Sequence, residues 1–413
     1  LQDGGSSRVS AQGAFEVRSD LPIAAYQYNP LHFELGSGVD AISSFTNDAS
    51  LLLPEHVLSG SYMISTWPSL GIGDFPGEAT WLPGFIAVTA TVDGTSVTLK
   101  PQANTQEGDI TAIDLGGELV VELNRVDFLQ LLAEIPENDL QTNVCLLRGG
   151  EQAGNGVDQS CADAALGDLT GTTIEATAPV AVVSGHRCTF MPFDRYACDH
   201  LEEMMFPRET WGRSVFMTAP ASPDGRNPVA TQYRVLSGDT ANYITFTPPV
   251  HDPVQLHGGE FIDFLSAEDI LIEGTAPLYV TQTMLGEQAL ATTAGDPAMG
   301  SGIPLSQWRS SYDFLVPETY SSNWLNLAGP TDADVYLDGV RVEDWEVAEG
   351  TGMKAARIEV APGAHHIESA GQVGFGHLRV IVDHMQKSQR RSHGKARPGG
   401  VIAYAGGEVR AVD

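Results

Sequence analysis

Positive charge is what this chain has least of. Twenty-two lysines and arginines face 53 aspartates and glutamates, a formal net charge of -31 over 413 residues. Such a field repels phosphate backbones and anionic lipid, so nucleic acid is excluded as a partner for the body of the chain. Long hydrophobic runs are missing as well. None approaches the roughly 20 residues a helical span requires, so no membrane-spanning segment is expected. Segments with helical periodicity are scarce. The compact motifs of catalysis and cofactor binding are absent: there is no G-x-S-x-G, H-E-x-x-H, P-loop or G-x-G-x-x-G. No Asn-x-Ser/Thr sequon occurs, so glycosylation gives no clue to compartment.

Cysteine is sparse but clustered: Cys145, Cys161, Cys188 and Cys198 make up the whole set. An even number at short spacings reads as two local disulfides, Cys145 with Cys161 and Cys188 with Cys198. Four cysteines allow three connectivities, and this pairing is taken from proximity. A zinc site is the competing reading, and the CxxC spacing it usually needs is lacking. Disulfides imply an oxidising compartment.

What is present is a pattern in triplicate. Pro22, Pro179 and Pro277 each open a short apolar segment, in SDLPIAAYQY, ATAPVAVVSG and GTAPLYVTQT. A second proline follows each, Pro54, Pro207 and Pro304, in LLLPEHVLSGSY, MMFPRETWGRSV and SGIPLSQWRSSY. Four residues beyond stand Leu58, Trp211 and Trp308; seven beyond stand Ser61, Ser214 and Ser311. The spacing predicts one supersecondary unit used three times, with Trp211 and Trp308 as core anchors.

Period-2 alternation and a glycine- and proline-rich composition predict an all-β fold. Three sequence-related antiparallel units, sandwich-like or blade-like lobes packed side by side, are expected. Residues 1–13 read as a linker whose LQDGGSS opening resembles a processed start. Unit 1 covers 14–171 and carries a disulfide-pinned insertion at 135–170; unit 2 covers 172–270 and unit 3 covers 271–383. Asp93-Gly94 marks a hairpin in GFIAVTATVDGTSVTLKP, matched by QYRVLSGDTANYITFTP. Gly116-Gly117-Glu118 is answered by Gly258-Gly259-Glu260. Asp338-Gly339 marks another hairpin, and ARIEVAPGAHHIES reads as a closing one. Residues 384–413 hold a basic segment with Lys387, Arg390, Arg391, Lys395 and Arg397, then a final strand in VIAYAGG.

Candidate chemistry is scattered. Ser184 and His186 lie too close in sequence to make a working pair by that fact alone. His365-His366 in a turn would point to opposite faces, against a shared metal. Asp194, Asp199, Glu202 and Glu203 could supply the two carboxylates of a glycoside hydrolase, yet clusters of acids are expected by chance in so acidic a chain. No cofactor is expected. Calcium is the one ion the acids could accept, with Asp332-Ala333-Asp334 the nearest approach to a binding loop, and no full loop is present. Gly295-Asp296-Pro297 reads as a turn.

One block is more specific. Pro179, Ser184, Gly185 and Cys188 precede Cys198, Asp199, His200, Leu201 and Glu203, then Pro207, Trp211 and Gly212. This order, a proline-led strand ending SGxxC, a CDH-L-x-E-x-x-x-P run and then WG, resembles the IgGFc-binding protein N-terminal domain family. GDPAMGSGIPLSQWRSSYDFLVP at 295–317 is similar to a second family segment. The resemblance spans about residues 14–375, while the basic end departs from the family's Tyr/Gly-rich closing strand. It implies a secreted or cell-surface, non-enzymatic adhesion or recognition module. Cys188 and Cys198 would staple the connection between Ser184 and Asp199, and Asp199 and His200 would bond the following turn.

The function expected is therefore binding of a protein or glycan partner through loops of a rigid scaffold, with no catalytic residue. A structural subunit of a surface layer or filament, self-associating through an edge strand or the basic segment, is the second reading. A polysaccharide-acting hydrolase is the third, and it needs two facing carboxylates in a cleft.

Overall fold

The computed structural model describes residues 6–28, 33–35, 42–44, 48–73, 79–135, 159–162, 167–193, 195, 198–222, 225–238, 240–290, 297–316, 322–370, 379–385, 400–405 and 408–412. Among them the regular secondary structure is nearly all strand, relieved by one short helix, Glu287–Leu290, and three 3-10 turns. The fold is all-β and its ladders are antiparallel.

Two long strands organise it. Thr173–Phe190 pairs through its first half with Thr95–Lys100 and Ser59–Met63, and through its second half with Gly84–Ala90 and Cys198–Met204. Ile270–Met284 does the same with Asn242–Thr247 and Gly212–Met217, then with Thr231–Ser237 and Met299–Ser301. Each long strand therefore belongs to two layers, and the sheet curls over its own core. Phe128–Leu132 and Leu119–Leu123 complete the first sheet where Phe261–Ser266 and Val254–Leu256 complete the second, so the two share one strand order.

Pro179 and Pro277 lie inside these strands and do not open them. Both are exposed, at the crossing between layers where a residue without an N–H costs no ladder bond. The strands that hold them close the sheets made from the chain before them.

The expected hairpin at Asp93-Gly94 is also corrected. Gly94 has φ +69° and does turn the chain, but Gly84–Ala90 and Thr95–Lys100 flank the long strand and do not pair with each other. The same holds for Thr231–Ser237 and Asn242–Thr247 around the second long strand. In both cases a tight turn carries the chain from one layer to the other, which local sequence does not distinguish from a hairpin. Asp338-Gly339 does close a hairpin, Asp334–Leu337 with Val340–Arg341. Met353–Glu359 and Gly363–Ala370 belong to different four-stranded sheets and form none, so His365 and His366 sit in a strand and not in a turn. The Gly-Gly-Glu correspondence shifts by one residue, because the left-handed position is Gly116 in one copy and Gly259 in the other, each at φ +81°.

The third part pairs Ser311–Val316 with Gly363–Ala370 in one sheet and Ser322–Pro330 with Met353–Glu359 and Arg379–Met385 in the other. Near the termini, Ala24–Tyr28 lies between Ala49–Leu51 and Gly400–Ala405, and the latter turns back into Glu408–Val412. Strand VIAYAGG is thus present as Gly400–Ala405, with its partner from the other end of the chain.

Alternation accounts for the cores. Thr95–Lys100 buries every second side chain, placing Val97 and Leu99 inside. One apolar cluster joins the first sheet to Trp211, Tyr279 and Met299. A second fills the centre of the second sheet around Tyr233, Val235 and Ile272. A third sits between the last two sheets around Leu325, Leu327 and Ile367.

Candidate functional site

The prolines Pro54, Pro207 and Pro304 share one local geometry. Each stands before a single 3-10 turn with ψ of 148°, 142° and 143°, and Leu58, Trp211 and Trp308 end those turns in extended conformation. Proline has no N–H to leave unbonded at such an entrance and its φ is already set. Both tryptophans donate their indole N–H five residues back, Trp211 to the Phe206 carbonyl at 3.2 Å and Trp308 to that of Ile303 at 3.0 Å. Trp211 stacks on Tyr279 with centroids 5.1 Å apart, and Trp308 meets Phe216 edge-on at 6.3 Å. Both rings are buried where successive sheets meet. Pro22, by contrast, lies exposed just ahead of Ala24–Tyr28.

The block from Ser184 to Glu203 folds as two paired strands, Val183–Phe190 against Cys198–Met204, joined by the Cys188–Cys198 disulfide. Gly185 is required there. A Cβ at that position would fall 1.8 Å from the Leu201 carbonyl oxygen. The Cys145–Cys161 pairing lies outside the described residues, as do Asp194 and Asp296; Cys161 contributes its backbone to strand Gln159–Ala162, paired with Leu70–Gly73.

Polar side chains of this block point inward. Ser184 donates to the Ser65 carbonyl at 2.7 Å, while His186 Nδ1 accepts from the Cys188 amide at 3.1 Å. Each is thereby held by its own partner and the two form no nucleophile–base pair. Burial drives the His186 imidazole down to about 3, so it is neutral at physiological pH. Asp199 is buried opposite Thr189. His200 stacks on Phe85 and reaches the Arg187 carbonyl at 3.3 Å and Glu202 Oε2 at 3.4 Å.

Glu202 and Glu203 are neighbours in one strand and face opposite ways. Glu202 accepts from Gln27 Nε2 at 2.8 Å, tying in the N-terminal strand. Glu203 accepts from the Ser301 amide at 3.2 Å, and burial raises its carboxyl to about 7. Between them Asp48 accepts from the amides of Glu202 at 2.8 Å and Met299 at 3.0 Å. Burial holds Asp48 well above the usual carboxylate range. Three carboxylates thus bind four separated chain segments into one junction. Glycoside cleavage needs two carboxyls opening onto a sugar; Asp48 and Glu202 are sealed inside, at 4% and 2% exposure.

Sequence reasoning missed two residues that matter as much. Arg234 lies sandwiched between the rings of Trp67 and Phe261, each centroid 4.1 Å away, and donates to Asp168, Asp263, Thr170 and the Thr66 carbonyl. It locks the first sheet to the second. Arg357 donates to the Ala219 carbonyl, Asp269 and Glu346, locking the second sheet to the third part. The available signal was an arginine standing at a strand position among apolar neighbours, in QYRVLS and KAARIEV.

Adjacent in strand Gly363–Ala370, the two histidines face opposite ways: His366 Nδ1 meets Asp313 on the outer face, while His365 stacks on the core ring of Phe314 and its Nδ1 meets Asp338, both contacts at 2.7 Å. Among the described residues no group of three or more His, Cys, Asp or Glu side chains is arranged to hold a metal ion. Nor is any described helix long and apolar enough to cross a membrane.

No curated protein matches the chain. A solved anti-sigma factor domain-containing protein from Clostridium clariflavum aligns at 7% identity over 88% of this chain and 95% of that one, at a TM-score of 0.13, which carries no argument. The family model described as IgGFc binding protein matches residues 48–377, from Asp48 of the carboxylate junction past the last described strand of the His365 sheet. With most of its length covered, the chain belongs to the IgGFc binding protein family.

Proposed function

We propose that the chain is an extracellular, non-enzymatic recognition module that binds a protein or glycan partner through loops on a rigid β scaffold. The observation that carries this reading is that the family-specific side chains are committed to the interior. Asp199, His200 and Leu201 are buried in the paired strands and Trp211 is buried at a seam between sheets, so these residues build a platform. The Cys188–Cys198 disulfide supports an oxidising compartment. Unit boundaries at Pro54, Pro207 and Pro304 suit the strand pairing better than those at 172 and 271, since each long strand then stays with its own sheet.

The binding surface is placed at the 135–170 stretch. Its strand Gln159–Ala162 extends a small sheet with Leu70–Gly73 and Ala79–Leu82, and Leu70 and Leu82 pack on the disulfide. Loops on a braced element suit recognition. The test is binding of the purified chain to arrays of glycans and surface proteins, with immunoglobulin Fc as one member. Replacing 136–158 by a Gly-Ser linker, with Cys161→Ser so that no thiol is left unpaired, is expected to abolish binding while unfolding stays cooperative. Undiminished binding would remove the insertion from the site, and turnover of any polysaccharide would overturn the non-enzymatic reading.

A further inference from the structure

Two sheets built on one strand order allow each outward position to be compared with its counterpart. Thr95–Lys100 of the first sheet corresponds to Asn242–Thr247 of the second, each pairing with the first half of a long strand. One bond fixes the register. The Ser96 amide donates to Thr177 Oγ1 at 2.9 Å, and the Tyr243 amide donates to Thr275 Oγ1 at 2.9 Å. Thr98 opposite Glu175 is then answered by Thr245 opposite Glu273, and Glu122 beside Ser96 by Gln255 beside Tyr243. The inward residues are apolar in both, Val97 and Leu99 in one and Ile244 and Phe246 in the other.

The outer faces differ. Where the first sheet carries Ser96, the second carries Tyr243, 50% exposed. A scaffold that accepts serine at this rung does not need the ring, so packing does not account for it. Glu175 is occupied, accepting from Ser61 at 2.9 Å and from Arg208 at 3.4 Å. The side chains of Glu273 and Gln255 make no hydrogen bond or ion pair among the described residues. One end of this face is walled. A Cβ on Gly350 would fall 3.3 Å from the Thr247 methyl carbon, so that turn closes on the strand. Leu271, opposite Thr247, packs with Phe216 and Trp308.

We propose that the open part of this face, with Tyr243 as its floor, binds a neutral oligosaccharide. The face of an aromatic ring is electron-rich, and a pyranose can lay C–H bonds of partial positive charge against it. Thr245, Thr275, Gln255 and Glu273 ring the tyrosine with hydroxyl, amide and carboxylate groups, which donate to and accept from sugar hydroxyls. A protein partner would bury an apolar centre; here the neighbours of a single ring are polar, which suits a sugar. None of these residues is basic, and a net charge of -31 disfavours an anionic glycan. Two rungs across three strands measure about 7 by 10 Å, room for about two sugar rings. The site is independent of the one placed at 135–170, because all its residues lie between 243 and 275.

The experiment titrates the full chain with neutral hexasaccharides of glucose, N-acetylglucosamine, mannose and xylose, followed by calorimetry. Saturable binding of at least one is expected. Tyr243→Ser, which copies the first sheet at this rung, should weaken it about tenfold while the urea midpoint stays in place. Tyr243→Phe keeps the ring and should bind nearly as the parent does. Glu273→Ala combined with Gln255→Ala, both at exposed positions, should also weaken binding and does so without touching the ring. Replacing 136–158 should leave it intact. Parental affinity in both Tyr243→Ser and the paired variant would overturn the site, as would failure of all four saccharides to bind the parent. Loss confined to the 136–158 replacement would put the saccharide at the insertion, overturning this site and not that reading. A protein captured through Tyr243, with no saccharide bound, would overturn the ligand.

Discussion

Arg234 and Asp168 meet at 2.8 Å with both side chains almost sealed from water, at 2% and 3% exposure. The pair crosses from the second sheet to the first, and Asp263 grips the guanidinium from the other side at 2.7 Å. Taking either partner away leaves a charge buried and uncompensated, which costs about 3–5 kcal/mol. Arg234→Ala is expected to lose that much in urea unfolding. Arg234→Lys should recover little of it, since an ammonium cannot donate along two edges or stack flat between Trp67 and Phe261. Full stability in Arg234→Lys would show that the charge alone matters.

Trp308 fills the seam between the second sheet and the third part. Trp308→Ala removes its contacts with Phe216 and Ala328 together with the indole bond to Ile303. A loss of about 3–5 kcal/mol is expected for an aromatic truncated in a packed core. Trp308→Phe keeps the ring and should cost less. Equal losses for the two variants would place the energy in the hydrogen bond and not in packing.

Cys188 and Cys198 close a loop of ten residues' separation. In the chain-entropy account such a loop contributes about 2–3 kcal/mol. The double variant Cys188→Ala, Cys198→Ala should unfold at correspondingly lower urea, and peptide mapping without reductant should recover 188 and 198 linked. Free thiols at both positions in protein purified from an oxidising compartment would remove the main support for an extracellular site.

Much of this was legible from the chain, and the failures share a cause. Alternation in TSVTLK gave strand, face and core because a half-buried strand writes its environment at every second residue. The recurrence at Pro54, Pro207 and Pro304 was legible because the 3-10 turn each one opens is local, although the spacing did not say that it was a turn. Strand partners were not. Asp93-Gly94 specifies a tight turn equally well whether the flanking strands pair or admit a third between them, and the third is supplied by Thr173–Phe190, far along the chain. Asp48 carried no signal in sequence at all. Its importance arises from amides at Glu202 and Met299, contacts spanning 154 and 251 residues.

The carboxylate junction makes stability depend on pH in an unusual direction. Glu203 is half-buried beside Ser50, Ser301, Tyr279 and Glu202, and burial lifts its folded carboxyl to about 7, against roughly 4.3 when unfolded. Folding therefore favours the protonated form. The contribution is fully present below the unfolded value and is lost as pH rises through about 7. Asp48, raised for the same reason, acts in the same sense. Asp127, its carboxylate held low by the Gln12 and Asn124 amides, works the other way and loses its contribution only as pH falls below the usual carboxylate range. Stability should therefore rise by about 1–3 kcal/mol between pH 8 and pH 5 before acid unfolding sets in. Glu203→Gln mimics the protonated form, so it should be more stable than the parent at pH 8 and show a flatter profile. Urea midpoints at pH 5, 6, 7 and 8 decide the matter: parallel profiles for parent and variant would mean that Glu203 does not set the slope.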